Sequence, residues 1–155
     1  TYSAIALRNG DPEGVQVLRE LMQGRAGPFD LVGNWNCRTI KMGGMIDLTV
    51  YSNFSCTITQ TGQNEWFLEK TTGSQRTRGV IRPDDGFYAY LGVGYVGTAP
   101  IVEYQDFPAA QAATADPSQT VPIIGEVHQM DADRIRILMP NPILESEFDI
   151  LYLTR

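Results

Sequence analysis

The chain has a single histidine, two cysteines and no CxxC pair, so its sequence offers no imidazole or thiolate cluster for a metal. No window approaches twenty uninterrupted apolar residues, which removes a helical membrane span. The twelve basic residues are scattered and the formal charge is -6, an unfavourable balance for a phosphate backbone, so nucleic acid is not expected as a partner. No GxSxG elbow accompanies His128, and the glycines of LGVGYVGTAP (91–100) make neither a GxGxxG nor a loop leading into a lysine-serine helix. The N-terminus TYSAIALRNG lacks the basic region and apolar core of a signal peptide. Either the chain is cytosolic or its numbering starts after processing.

With 155 residues, 15 glycines and 9 prolines, the composition suggests one domain built from short segments separated by many turns. The one good helix is DPEGVQVLRELMQG (11–24): Asp11 can cap it, Pro12 suits its first position, Glu13 its positive end, and Gly24 can stop it. Val15, Leu18, Leu21 and Met22 form a stripe for docking. The chain thus divides into an N-terminal arm and helix (1–30) and a strand-rich body (31–155).

From Leu31 onward the period changes to two. LVGNWNCRTI puts Gly33, Trp35 and Cys37 on one face. IDLTVYSNFSCTI (46–58) puts Ile46, Leu48, Val50, Phe54, Cys56 and Ile58 on one face, broken only by Ser52. NEWFLEKT, QRTRGVIR, GFYAYLGVGY, VPIIGEVHQM, DRIRILM and SEFDILYL complete eight strand candidates, with turns at TTGS, PDDG, MDAD and PNP. A hairpin around Asn141 and Pro142 would set Arg134 opposite Asp149 and Arg136 opposite Glu147, with Ile135, Ile137, Phe148 and Ile150 inward. Residues 98–120 are too long for a hairpin turn, and their Tyr104 and Phe107 could roof a barrel mouth. The fold expected is mainly β: an eight-stranded antiparallel up-and-down barrel preceded by one N-terminal helix.

Cys37 and Cys56 fall on neighbouring strands, where a disulfide would close a loop worth about 3 kcal/mol and indicate an oxidising compartment. The alternative is two buried reduced cysteines. Glu145, Glu147 and Asp149 superficially offer paired carboxylates, but alternation sets at least two on one face beside arginines, as structural pairs. Arg76 and Arg78 share a face past a tight turn: inside the barrel they would attract an anionic group, outside they are ordinary solvated charges. No acid, base and nucleophile converge, so neither an enzyme nor a cofactor is expected.

The GxW of GNWNC, Gly33 and Trp35, on the first strand of an eight-stranded antiparallel protein resembles the calycin superfamily, the lipocalins and their relatives. The resemblance implies that Trp35 closes one end and that a late arginine, Arg155 or else Arg136, packs across it. CRTIKMGG, FSCTI, FLEKTTGSQRTRG and ESEFDILYL resemble the uncharacterised domain-of-unknown-function family four-eight-nine-three, small exported proteins of Gram-negative bacteria. That resemblance implies a periplasmic or secreted home, supports the Cys37 to Cys56 bond, and brings no activity.

Two functions follow as expectations. One is a binding module holding a small apolar or amphipathic ligand among Trp66, Phe87, Leu91 and Val93, with Arg76 and Arg78 near an anionic head group. The other is a protein-interaction module, resembling protease inhibitors that insert an arm, with TYSAIAL as the arm. Edge-strand pairing is the simpler use of that segment.

Overall fold

The computed structural model describes residues 2–22, 30–97, 102–106, 120–140 and 148–155. Two helices, α1 (Tyr2–Asn9) and α2 (Pro12–Met22), precede nine strands: β1 (Gly33–Met42), β2 (Leu48–Val50), β3 (Phe54–Gly62), β4 (Glu65–Lys70), β5 (Gln75–Asp84), β6 (Phe87–Val96), β7 (Val121–Asp131), β8 (Arg134–Pro140) and β9 (Phe148–Thr154). All pairings are antiparallel, in the order β2-β1-β3-β4-β5-β6-β7-β8-β9, and β1 also pairs with β9 from Asn36 and Thr154 to Met42 and Phe148. That last pairing closes an eight-stranded barrel of β1 and β3–β9, with β2 as an extra strand beside β1.

The expected long strand 46–58 is two strands, and the reason is a register change. Ile40 pairs with Val50, but Cys37 pairs with Phe54, so one extra residue enters opposite β1 between them. An odd insertion swaps the faces. Phe54, Cys56 and Ile58 join the interior, whereas Leu48 and Val50 pack outside with Ile40 and Met42 beneath the helices. Ile46, expected on the inner row, is 64% exposed.

The helices cover this outer patch. Asp11 caps α2 by accepting the Gly14 N–H at 3.0 Å, while its carbonyl accepts the Val15 N–H. Leu18 and Val17 are buried against Ile40, Met42 and Leu48, and Val15 packs at their edge. Leu21 and Met22 have side chains outside the described set, as does Gly24 altogether. Residues 2–9 form neither an arm nor an edge strand: they are the helix α1, with Ala6 fully buried in the same cluster.

The β8–β9 register also corrects the sequence reading. Arg134 lies opposite Thr154 and Arg136 opposite Tyr152, five places from the expected pairing, and Asp149 faces Met139. Because five is odd, Phe148 and Ile150 move to the outer cluster and Leu151 and Leu153 turn inward with Ile135 and Ile137. Asn141, Pro142, Glu145 and Glu147 lie outside the described residues.

The interior is filled by aromatic and branched side chains. Tyr90 is fully buried, and its hydroxyl shares a 2.6 Å hydrogen bond with the Thr77 hydroxyl. Its ring lies along the barrel wall over Gly92, where an added Cβ would meet it at 2.5 Å. Gly79 lies opposite Gly92, so close that a Cβ there would come 2.3 Å from the Gly92 Cα. These glycines give the wall the room that Tyr90 occupies. At the other side of the sheet, the Asp85-Gly86 turn joins β5 and β6 with both residues at positive φ, the twist-matched two-residue hairpin anticipated at PDDG.

Gly79→Ala is expected to destabilise the protein by about 1–3 kcal/mol in urea unfolding, because backbone rather than a movable side chain must yield. Gly97→Ala, with nothing within 4 Å of its Cβ, is the control. Equal losses at the two positions would contradict the packing described.

Candidate functional site

The two ends of the barrel differ in chemistry. At the end where β1 begins, Trp35 is buried and donates from Nε1 to the Leu31 carbonyl at 2.8 Å. The Arg155 guanidinium lies 4.0 Å from its ring. Arg155 also donates to the carbonyls of Val32 and Ala132, each at 2.9 Å, and of Asp30 at 3.3 Å. Gln129 holds the Asp30 backbone through both ends of its amide. Gly33 sits at φ +145°, and a Cβ on it would press within 3.1 Å of the Arg155 guanidinium. The glycine of GxW thus admits the arginine that stacks on the tryptophan. This end is shut.

Above it, Trp66 meets Tyr88 edge to face at 5.9 Å, Leu68 and Ile81 fill the next level, and Cys37 and Cys56 form a disulfide with a Cα–Cα distance of 5.9 Å. The disulfide crosses between β1 and β3, and neither sulfur-bearing residue is more than 1% exposed.

Beyond the disulfide the inner face turns charged, with Lys70, Lys41 and, opposite Lys41, Asp149. Lys70 ends β4 with the same alternation that points Trp66 and Leu68 inward, and it is only 6% exposed. Its Nζ lies 4.5 Å from the Phe54 ring centre, a contact worth about 2 kcal/mol when desolvated. Lys41, two and four places past Thr39 and Cys37 on β1, shares this face and end, with its Nζ 5.7 Å from the Tyr51 ring. They are the only two lysines in the sequence. Burial, then the charges of Arg76 and Lys41, hold the Lys70 ammonium below the usual lysine range.

The residues singled out from the sequence do not converge on one pocket. Trp66 is inside, whereas Arg76, Arg78, Phe87, Leu91 and Val93 lie on the outer face of β5–β6, since Arg78 and Val93 pair across it and Tyr90 points the other way. Arg78 is engaged by Glu69 at 3.2 Å, Glu103 at 3.1 Å and the Phe67 ring at 5.1 Å. Arg76 donates to the Gly73 carbonyl at 2.6 Å. Val93 is fully buried on that outer wall, and the short 3-10 turn Tyr104–Asp106 packs against β6 there; Phe107 lies outside the described residues. Tyr104 therefore sits against the outer wall.

His128 is also on the outer surface. Its Nδ1 accepts from Arg136 at 3.1 Å, which leaves Nε2–H to donate to Glu126 at 2.8 Å. Arg134 pairs with Asp131 at 2.7 Å, which holds the Asp131 carboxyl below its usual range. Among the described residues no group of three His, Cys, Asp or Glu side chains could hold a metal ion. A groove of about 210 Å³ opens outside between Asp11, Glu13, Arg38, Val50 and Ser52. Its polar groups already serve the fold: Asp11 caps α2 and Arg38 donates to the Tyr51 carbonyl at 3.0 Å.

A family model matches residues 3–153. The chain belongs to the family described as Domain of unknown function (DUF4893). No curated protein and no solved structure shows significant similarity to it. Family membership therefore brings no activity, and the chemistry of this family member has to be read from its two ends. Sequence reasoning passed over Lys70, although alternation within EWFLEK is the signal that points it inward.

Lys70→Met is expected to raise unfolding stability at neutral pH by at least about 1 kcal/mol, the low end for burying a polar group without a full partner. With its folded pKa below the unfolded 10.5, the native protein carries the cost of the charge at all lower pH. Stability should then recover as pH rises from that lowered pKa towards 10.5, so the advantage of Lys70→Met shrinks across the window. Denaturant titrations of both proteins at several pH values test this; a difference independent of pH would contradict it.

Proposed function

We propose that this family member is a non-enzymatic binding module of an oxidising compartment, the bacterial periplasm, which takes a small amphipathic molecule at the end of the barrel opposite Trp35. The observation that carries the reading is the asymmetry of the inner face. One end is sealed by Trp35, Arg155, Gln129 and the Asp30 backbone, the middle is filled by Trp66, Tyr90 and the disulfide, and the far end presents charged side chains, Lys70 and Lys41 with Asp149 opposite Lys41. A filled middle favours a ligand lying in the mouth over one swallowed into the interior. The disulfide supports the export reading, because such bonds persist outside the reducing cytosol. The stacked Trp35 and Arg155 support kinship with the calycin barrels, whose ligands enter at the end away from the tryptophan.

The protein-interaction alternative loses its free arm, since α1 is docked through Ala6. An enzymatic reading gains nothing from His128, which is occupied by Glu126 and Arg136 on the outer wall.

Native mass spectrometry on protein expressed in a bacterial periplasm and purified without detergent is expected to show an added mass that leaves on denaturation. The denatured chain should be two hydrogens lighter than its reduced mass. A ligand-free native mass in every such preparation, or free thiols, would overturn the reading.

A further inference from the structure

We infer that a second copy of this chain docks on the outer face of β5–β7, related to the first by a two-fold axis that runs along β6, with Arg82 of each copy meeting Glu126 of the other. This surface lies on the outer wall, away from the inner face, so it stands or falls separately from the ligand reading.

The strand registers set outward rows across this wall. Val80, Leu91 and Ile124 form one row, Arg82, Ala89 and Glu126 the next, and Asp84 and Phe87 stand level beyond them. All of these side chains point away from the interior, since Ile81, Tyr90 and Val127, which alternate with them, belong to the core. Ile124 is 59% exposed and Phe87 40%, among the most exposed large apolar side chains of the described residues. Leu91 and Val80 are half-buried beside them. An apolar strip rimmed by Arg82, Asp84 and Glu126 has the make-up of a protein contact.

The charges decide what covers the strip and how it sits. Arg82 is exposed, and its guanidinium has no hydrogen bond or ion pair among the described residues. The Glu126 side chain is 47% exposed, and His128 engages its Oε1 only. Arg82 and Glu126 flank Ala89, each one strand spacing of about 4.8 Å to its side. A two-fold axis lying across the strands would set Arg82 over Arg82 and Glu126 over Glu126. An axis running along β6 reverses each row left to right and keeps its level. Arg82 then faces the second copy's Glu126 twice over, Val80 faces its Ile124, and Leu91 and Phe87 meet their counterparts on the axis. Asp84 comes over the second copy's His128, one place beyond the Tyr88–Val127 pair, so no row sets like charges together. The surface is thus complementary to itself. A barrel wall is convex, so β6 touches first, and the long side chains of Arg82, Glu126 and Ile124 reach across the diverging flanks. Three strands of one wall make a small interface, below about 1,200 Å², of the class that forms and dissociates reversibly.

Sedimentation equilibrium of the full chain, from micromolar to millimolar concentration, is the test. A reversible monomer–dimer equilibrium is expected. Arg82→Glu and Glu126→Arg should each weaken it tenfold or more, whereas both reversals in one chain should restore it to within threefold of wild type. An equimolar mixture of the two single variants should form a mixed dimer, because every carboxylate at these positions then meets a guanidinium. Arg8→Glu, on the exposed side of α1, makes the same change in net charge as Arg82→Glu and should alter the dissociation constant less than twofold. Ile124→Lys, at a position already open to solvent, is the second variant should a charge reversal fold poorly, and it should abolish the dimer. A monomer across the whole range, a dimer that tolerates the single reversals and Ile124→Lys, or one that the double reversal does not restore, would overturn the inference.

Discussion

Between Val50 and Phe54 the pairing against β1 slips by one residue, and the two halves of β1 consequently bury opposite faces. The first half sends Trp35 and Cys37 into the barrel; the second sends Ile40 and Met42 outward under α1 and α2. Without that slip Leu48 and Val50 would follow Phe54 and Cys56 into an interior already full, and the helices would have no apolar surface to cover. The β1–β9 closure extends the same arrangement: Ile150 and Tyr152 face the helices, while Leu151 and Leu153 face Trp35 and the disulfide. Closure also leaves the barrel strands without a free edge, apart from β2.

From this arrangement comes the division of labour along the barrel axis. The Trp35 end is built of hydrogen bonds that commit all three guanidinium nitrogens of Arg155 to backbone carbonyls, a plug across the tryptophan. Tyr90 fills the middle because Gly79 and Gly92 have no side chains to oppose it. Burial pushes its hydroxyl above the usual phenol range, so it stays a neutral partner for Thr77 rather than a base. The remaining place for recognition chemistry on the inner face is the end that carries Lys70, Lys41 and Asp149.

Much of the barrel was legible because period-two alternation is a local property. The face shared by Gly33, Trp35 and Cys37, the eight barrel strands, and the Asp85-Gly86 turn all follow from residues within a few positions of one another. What failed depended on distant partners. The β8–β9 register hangs on the length of a connection, and a miscount of five placed Phe148 and Ile150 on the wrong face. The inner row 46–58 carried its warning at Ser52, but only the partner strand decides whether a break is a polar residue or a change of face. TYSAIAL reads equally as an apolar arm or an edge strand, and only the cluster that Ala6 joins with Leu48 and Leu18 decides for a helix. At the site, Trp35 was visible from its motif, whereas Leu91 and Val93 were placed in the barrel without first being assigned a face.

The central claim is that the barrel is a plugged body whose inner chemistry is confined to its lysine-bearing end. The most direct measurement is the fluorescence of Trp35 and Trp66, both buried in the interior, during titration with an uncharged brominated alkanol, whose bromine quenches an indole only on contact. The account predicts no saturable uptake beside these rings. Saturable contact quenching of these rings would reveal an apolar cavity in the middle of the barrel and contradict it.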